Sequence, residues 1–167
     1  MRAGFALAAA LALSACGLSP MYAGGGSGQV AQGLAAVSVA PIPGRAGWLV
    51  RNALNARLGS TGDDSGARYR LDVILDDNLE GLGLLTDDTI GRERRTLRAR
   101  YQLTDTANGR ILLDATAGSD AGIDVVSSEY ATISAEQTAL ENLATDVADR
   151  IVTQLALKLR GPASGES

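Results

Sequence analysis

Leu97-Arg98-Ala99-Arg100-Tyr101-Gln102-Leu103-Thr104 alternates apolar and polar side chains without a break. In an extended chain successive side chains point to opposite faces, so Leu97, Ala99, Tyr101 and Leu103 line one face and Arg98, Arg100, Gln102 and Thr104 the other. The pattern requires a sheet covered on one side. Downstream, Asn108-Gly109 precedes Arg110–Ala117, and the length of this turn decides which residues of the two strands face each other. A two-residue Asn-Gly turn sets Leu103 opposite Asp114 and carries an acid into the core. A three-residue loop, Ala107 to Gly109, instead pairs Leu103 with Leu113 and Tyr101 with Ala115. The longer loop is expected, with Gly109 in the left-handed conformation.

Working outward, Tyr69, Leu71, Val73 and Leu75 alternate with Arg68, Arg70, Asp72 and Asp76, which gives a second half-covered strand. Before it, Val37 and Val39 form a short strand that Pro41 and Pro43 end. Between these strands the period changes: from Ala46 to Leu58, Val50, Leu54 and Leu58 recur at four-residue spacing, Arg51, Asn52 and Asn55 gather opposite, and Gly59 supplies a stop. A last helix is expected from about Ala135 to Leu159. Leu140, Leu143, Val147, Ile151 and Leu155 form its stripe, Ser134 with Gln137 offers a capping box, and Lys158 and Arg160 suit the C-terminal dipole. Val152 and Leu157 fall off that stripe, either as contacts with a second protein or as scattered surface apolar residues. The order β-α-β-β-β-α, with a right-handed crossover after the first strand, gives an α/β (α+β) two-layer sandwich: a mixed four-stranded sheet with two helices on one face.

The N-terminus reads as an address. Arg2, the apolar run Ala3–Leu13 and the small residues Ser14-Ala15 make a secretory signal, and the run is shorter than the ~20 residues a spanning helix needs. It ends on Cys16, the only cysteine, and so resembles a bacterial lipoprotein box in which the thiol is lipidated after a cut just before it. A disulfide needs a second cysteine, a metal site several ligands and a nucleophile usually a histidine base, but the chain has one Cys and no His. Gly17 is not the aspartate that typically retains such lipoproteins at the inner membrane. The expected organisation is a signal over 1–15, a lipidated flexible tether rich in Gly, Ser, Ala and Gln over 16–33, one domain over 34–160 and a disordered tail over 161–167.

Composition excludes several functions. A net charge of −4 suits no general nucleic-acid binder. With no histidine and Lys158 the only lysine, hydrolysis would need a Ser-Lys pair, paired carboxylates or a metal. The pairs Asp63-Asp64, Asp76-Asp77 and Asp87-Asp88 lack EF-hand spacing and read as turns or strand ends. Gly81-Leu82-Gly83 lacks the context of a dinucleotide fingerprint, and Gly91-Arg92-Glu93 is no phosphate loop. No enzyme activity, metal or cofactor is expected.

The arginines carry more information. Arg92, Arg94, Arg98 and Arg100 share a face if 92–103 is one strand, a row that could bind phosphates bidentately or form a solvated face balanced by Asp72 and Asp114. Arg95 points the other way. Taken in order, Cys16-Gly17-Leu18-Ser19-Pro20-Met21-Tyr22, Leu49-Val50-Arg51-Asn52-Ala53-Leu54, Tyr69-Arg70-Leu71, Tyr101-Gln102-Leu103-Thr104-Asp105 and Tyr130-Ala131-Thr132 resemble the LptE family, lipoproteins of outer-membrane lipopolysaccharide assembly, in its alphaproteobacterial form. The resemblance covers most of the chain. It implies a non-catalytic, lipid-anchored outer-membrane protein that plugs an LptD-like β-barrel, aids its assembly and contacts lipopolysaccharide. Local charge makes Arg92, Arg94 and Arg95 the candidate lipopolysaccharide contacts. The alternatives are an accessory lipoprotein of another envelope lipid transporter and a small envelope enzyme.

Overall fold

The computed structural model describes residues 28–59, 66–82 and 91–160. The expected signal, Cys16, residues 16–27 of the tether and the tail lie outside them. In chain order the described elements are α1 (Gln29–Ala35), β1 (Val37–Val39), α2 (Gly44–Leu58), β2 (Tyr69–Gly81), β3 (Arg92–Asp105), β4 (Ile111–Asp124) and α3 (Glu129–Leu159). The strands pair in sequence order, β1 parallel to β2 and the rest antiparallel, so the four-stranded sheet is mixed as expected. Strand β3 is therefore internal. Its alternation does what the sequence requires: Leu97, Ala99, Tyr101 and Leu103 are buried against Val50, Leu54 and Leu58 of α2 and Leu140, Leu143, Val147, Ile151 and Leu155 of α3 in one core. Each such aliphatic side chain removed from water contributes about 1.5–3 kcal/mol.

The β3–β4 register is the one the core demands, with Leu103 opposite Leu113 and Tyr101 opposite Ala115. The loop that delivers it is not the expected three-residue one. It spans Thr106–Gly109, closed by Asp105 N–H to Arg110 O and Gly109 N–H to Asp105 O, both 2.9 Å. The extra residue is absorbed by a register shift between Leu103 and Thr104. Side chains explain the preference: the Asp105 carboxylate accepts from Ala107 N–H at 2.9 Å and Asn108 Oδ1 from Arg110 N–H at 3.0 Å, pinning the turn from within. Gly109 has φ +70°, and a Cβ there would meet nothing within 4 Å. Gly109→Ala should therefore cost about 1 kcal/mol through backbone strain alone, read as a lowered melting temperature with an unchanged spectrum.

Two further boundaries differ from expectation. Helix α3 begins at Glu129, where Ser128 Oγ accepts from Ala131 N–H; Ser134 lies inside the helix, its carbonyl accepting from Thr138. Tyr130 and Ile133 in the first turns are exposed, so the apolar stripe starts well after the helix does. Helix α1 occupies the end of the expected tether because Val30 and Leu34 pack on the core, with Gly33 beside Leu159. Both α1 and α2 contact α3 and widen its buried arc. Val152 is accordingly buried in the core, while Leu157 remains on the surface.

Candidate functional site

The second face of the sheet carries no helix among the described residues. Along its centre run Arg92, Arg94, Arg98 and Arg100, all exposed and on one side of β3, a row about 26 Å long at ~3.3 Å per residue. Its ends are paired. Arg92 Nε lies 3.3 Å from Asp124, and Arg100 Nη2 3.1 Å from an Asp114 oxygen that also accepts from Gln102 at 2.8 Å. Hydrogen bonds from Arg100 and then Gln102 hold the Asp114 carboxyl below its ordinary range, and the same contact raises Arg100. Its middle is not paired: among the described residues Arg94 and Arg98 have no acid within ion-pair distance. Asp72 is turned to Arg70, at 3.0 Å, so of the two expected counter-charges only Asp114 serves the row.

Strand β4 shapes how these side chains lie. A Cβ on Gly118 would stand 3.2 Å from Arg98 Cγ, and one on Gly122 3.7 Å from Arg92 Nε, so both arginines stretch across glycines toward the sheet edge. Beside them a shallow cavity of about 490 Å³ is lined by Ile74, Asp76, Arg98, Arg100, Thr116 and Gly118. Ile74 is 73% exposed there. An apolar side chain lining the same cavity as Arg98 and Arg100 offers an amphiphile an acyl contact near phosphate donors. Sequence alternation hid Ile74, which interrupts the polar side of β2.

Arg95 is not part of this face. It lies on the helix-covered side with its side chain 16% exposed, donating to Asp77 through Nε at 2.9 Å and Nη2 at 2.7 Å and to Glu136 O at 3.2 Å. The hydrogen bond to Asp77 raises its pKa. The side chain ties β2, β3 and α3 together. The structure thus groups Arg92 and Arg94 with Arg98 and sets Arg95 apart.

Tyr101 is the other polar group of note. Its hydroxyl is buried and unpartnered among the described residues, and burial raises its pKa. Because the folded-state value lies above the unfolded one, the neutral phenol's stabilisation is complete below pH about 10 and lost as pH rises through the folded value. Tyr101→Phe should raise unfolding free energy by about 1 kcal/mol and flatten this alkaline decline, both read by denaturant titration.

Among the described residues no group of three or more acids or cysteines is placed to hold a metal, and no helix is long and apolar enough to cross a membrane. Asp76 and Asp77 diverge to opposite faces, the second taken by Arg95; Asp63-Asp64, Asp87-Asp88 and Gly83 lie outside the described residues.

Fold and face together define a small α+β domain with helices on one side of its sheet and, among the described residues, an uncovered arginine-bearing face on the other. Residues 34–155 match the family model LptE, lipopolysaccharide-assembly. The chain belongs to the LptE family, envelope lipoproteins of lipopolysaccharide assembly whose role is non-catalytic. Its fold is similar to that of a lipoprotein from Caulobacter crescentus CB15, at 25% identity and TM-score 0.64 over 79% of this chain and 96% of that one. A minor lipoprotein from Acinetobacter baumannii, at 17% identity and TM-score 0.58, covers 72% of this chain and 90% of its own. Lipoprotein B from Nitrosomonas europaea, at 13% and 0.58, covers 75% and 84%. These last two show the fold alone. No curated protein matches the chain.

Proposed function

We propose that the chain is anchored in the outer membrane through acylated Cys16, follows the boundaries 1–15 for a signal and 161–167 for a tail, and serves as plug and assembly partner of an LptD-like β-barrel. There it supports passage of lipopolysaccharide to the outer leaflet. The observation that carries this reading is the arginine row on the open sheet face, in which Arg94 and Arg98 lack acid partners among the described residues. Within a water-filled barrel lumen a polar, uncovered sheet face remains solvated, and free guanidinium groups meet lipid A phosphates bidentately. The contact is assigned to Arg92, Arg94 and Arg98, with Arg95 holding the strand and helix that present them. At ~0.8 kcal/mol per buried CH₂, more than one acyl chain anchors the domain firmly. The test is recovery of the tagged full chain from detergent-solubilised outer membrane. A stoichiometric large β-barrel supports the proposal; recovery with a permease or substrate-binding component instead assigns the chain to another envelope lipid transporter.

A further inference from the structure

Strand β4 is the long edge of the sheet. The Val125 N–H bond to Gly91 O fixes the phase of its ladder: odd-numbered residues exchange hydrogen bonds with β3, so the N–H and C=O groups of Thr116, Gly118, Asp120 and Gly122 point outward. Natural sheets protect such edges with Lys, Pro, bulges or inward-pointing charges. Between Ile111 and Asp124 there is no Lys and no Pro, the only register shift is beside the turn, and all three charges, Asp114, Asp120 and Asp124, lie on the open face. On the helix side the edge presents Ala115, Ala117, Ser119 and Ala121. Beneath it two grooves of about 760 Å³ each run beside α3, one at Ala117 and Arg150, the other at Ile123 and Ala135. They leave room for the side chains of an added strand.

We infer that this edge pairs antiparallel with the β4 of a second copy of the chain, on a twofold axis at Gly118. The register is selected by charge. Centred on Gly118, Asp114 faces Gly122 of the second copy and Asp120 faces its Thr116. Centred one residue either way, Asp114 meets Asp120 or Asp124 of the second copy, and like charges directly opposite are destabilising. The same register brings together two groups that lack ion-pair partners among the described residues: Arg98, stretched across Gly118 toward the edge, and Asp120. Two strand spacings and a two-residue offset along the strand separate their backbones, about 12 Å at ~4.8 Å per spacing and ~3.3 Å per residue, within the joint reach of an extended Arg and an Asp. The twofold makes each contact twice. This pairing is independent of the barrel reading and closes the free edge in the unpartnered protein.

The test uses the full-length chain with Cys16→Ser, which has neither lipid nor thiol. Light scattering should give twice the 17.1 kDa chain mass. Chains carrying Thr116→Cys and Asp120→Cys should form a disulfide-linked dimer under mild oxidation when mixed, and not singly. Asp120→Pro removes an outward N–H without touching the ladder to β3, and should abolish the dimer while leaving far-ultraviolet dichroism unchanged. Asp120→Arg should weaken it at least tenfold, and Arg98→Asp added to Asp120→Arg should restore it. A monomer at all concentrations, a dimer indifferent to Asp120→Pro, or an edge that takes up only another protein's strand overturns the inference.

Discussion

Leu155→Ala is expected to lower unfolding free energy by about 3 kcal/mol, within the range for emptying a closely packed aliphatic site. Leu157→Ala, two residues away on the same helix, should change it by less than about 0.5 kcal/mol. Leu155 is fully buried under the sheet, whereas Leu157 is 50% exposed. Total stabilities of single domains are only about 5–15 kcal/mol, so the first variant should shift the chemical denaturation midpoint by a large fraction and the second barely at all. Val152→Ala belongs with the first: the residue falls outside the stripe read from sequence but is buried, and about 1–2 kcal/mol should be lost. Equal losses at 155 and 157 would mean that the face α3 buries has been misassigned.

What the sequence revealed and concealed divides along the same physical line. Alternation in β3 and the stripe of α3 are legible because one face of each element is buried and the other is not. That contrast also limited the β3–β4 register, since a one-residue shift of the pairing drives Asp114 inward. Where an element is solvated all round, the signal vanishes. Strand β2 continues past Asp76 to Gly81, with Asp77-Asn78-Leu79-Glu80 set opposite Leu97, Thr96, Arg95 and Arg94; its outer half is held by the backbone ladder and opposite charges, which leave no apolar period. The first turns of α3 escaped for the same reason, while α1 escaped because a seven-residue helix with only Val30 and Leu34 on the core is too short to show a period. On the candidate site, the parity of Arg92, Arg94, Arg98 and Arg100 was readable from residue numbers alone. That Asp77 would claim Arg95 was not, because it depends on the register between β2 and β3. Nor could spacing show that Asp72 turns to Arg70.

The replacement of Arg92, Arg94 and Arg98 together by alanine is expected to weaken lipopolysaccharide binding by about a hundredfold with the fold intact. The magnitude follows from about 1 kcal/mol for each exposed, charge-assisted phosphate contact, with tenfold in affinity for each 1.4 kcal/mol. Most of the loss should come from Arg94 and Arg98, which surrender no ion pair within their own chain on binding, whereas Arg92 must first leave Asp124. Binding to the unaltered protein should also fall as salt is added, because these guanidinium groups are solvent-exposed and screened. Arg95→Ala tests the opposite role. It strips Asp77 of its partner and α3 of the bond at Glu136 O, so a stability loss of about 1 kcal/mol, discounted for partial exposure, should precede any binding defect. A variant lacking Arg92, Arg94 and Arg95 would mix the two effects, whereas the set with Arg98 isolates the open face. If that set bound lipopolysaccharide undiminished, the row would be a solvated surface balanced by neighbouring acids, and the glycolipid would have to be met elsewhere on the chain.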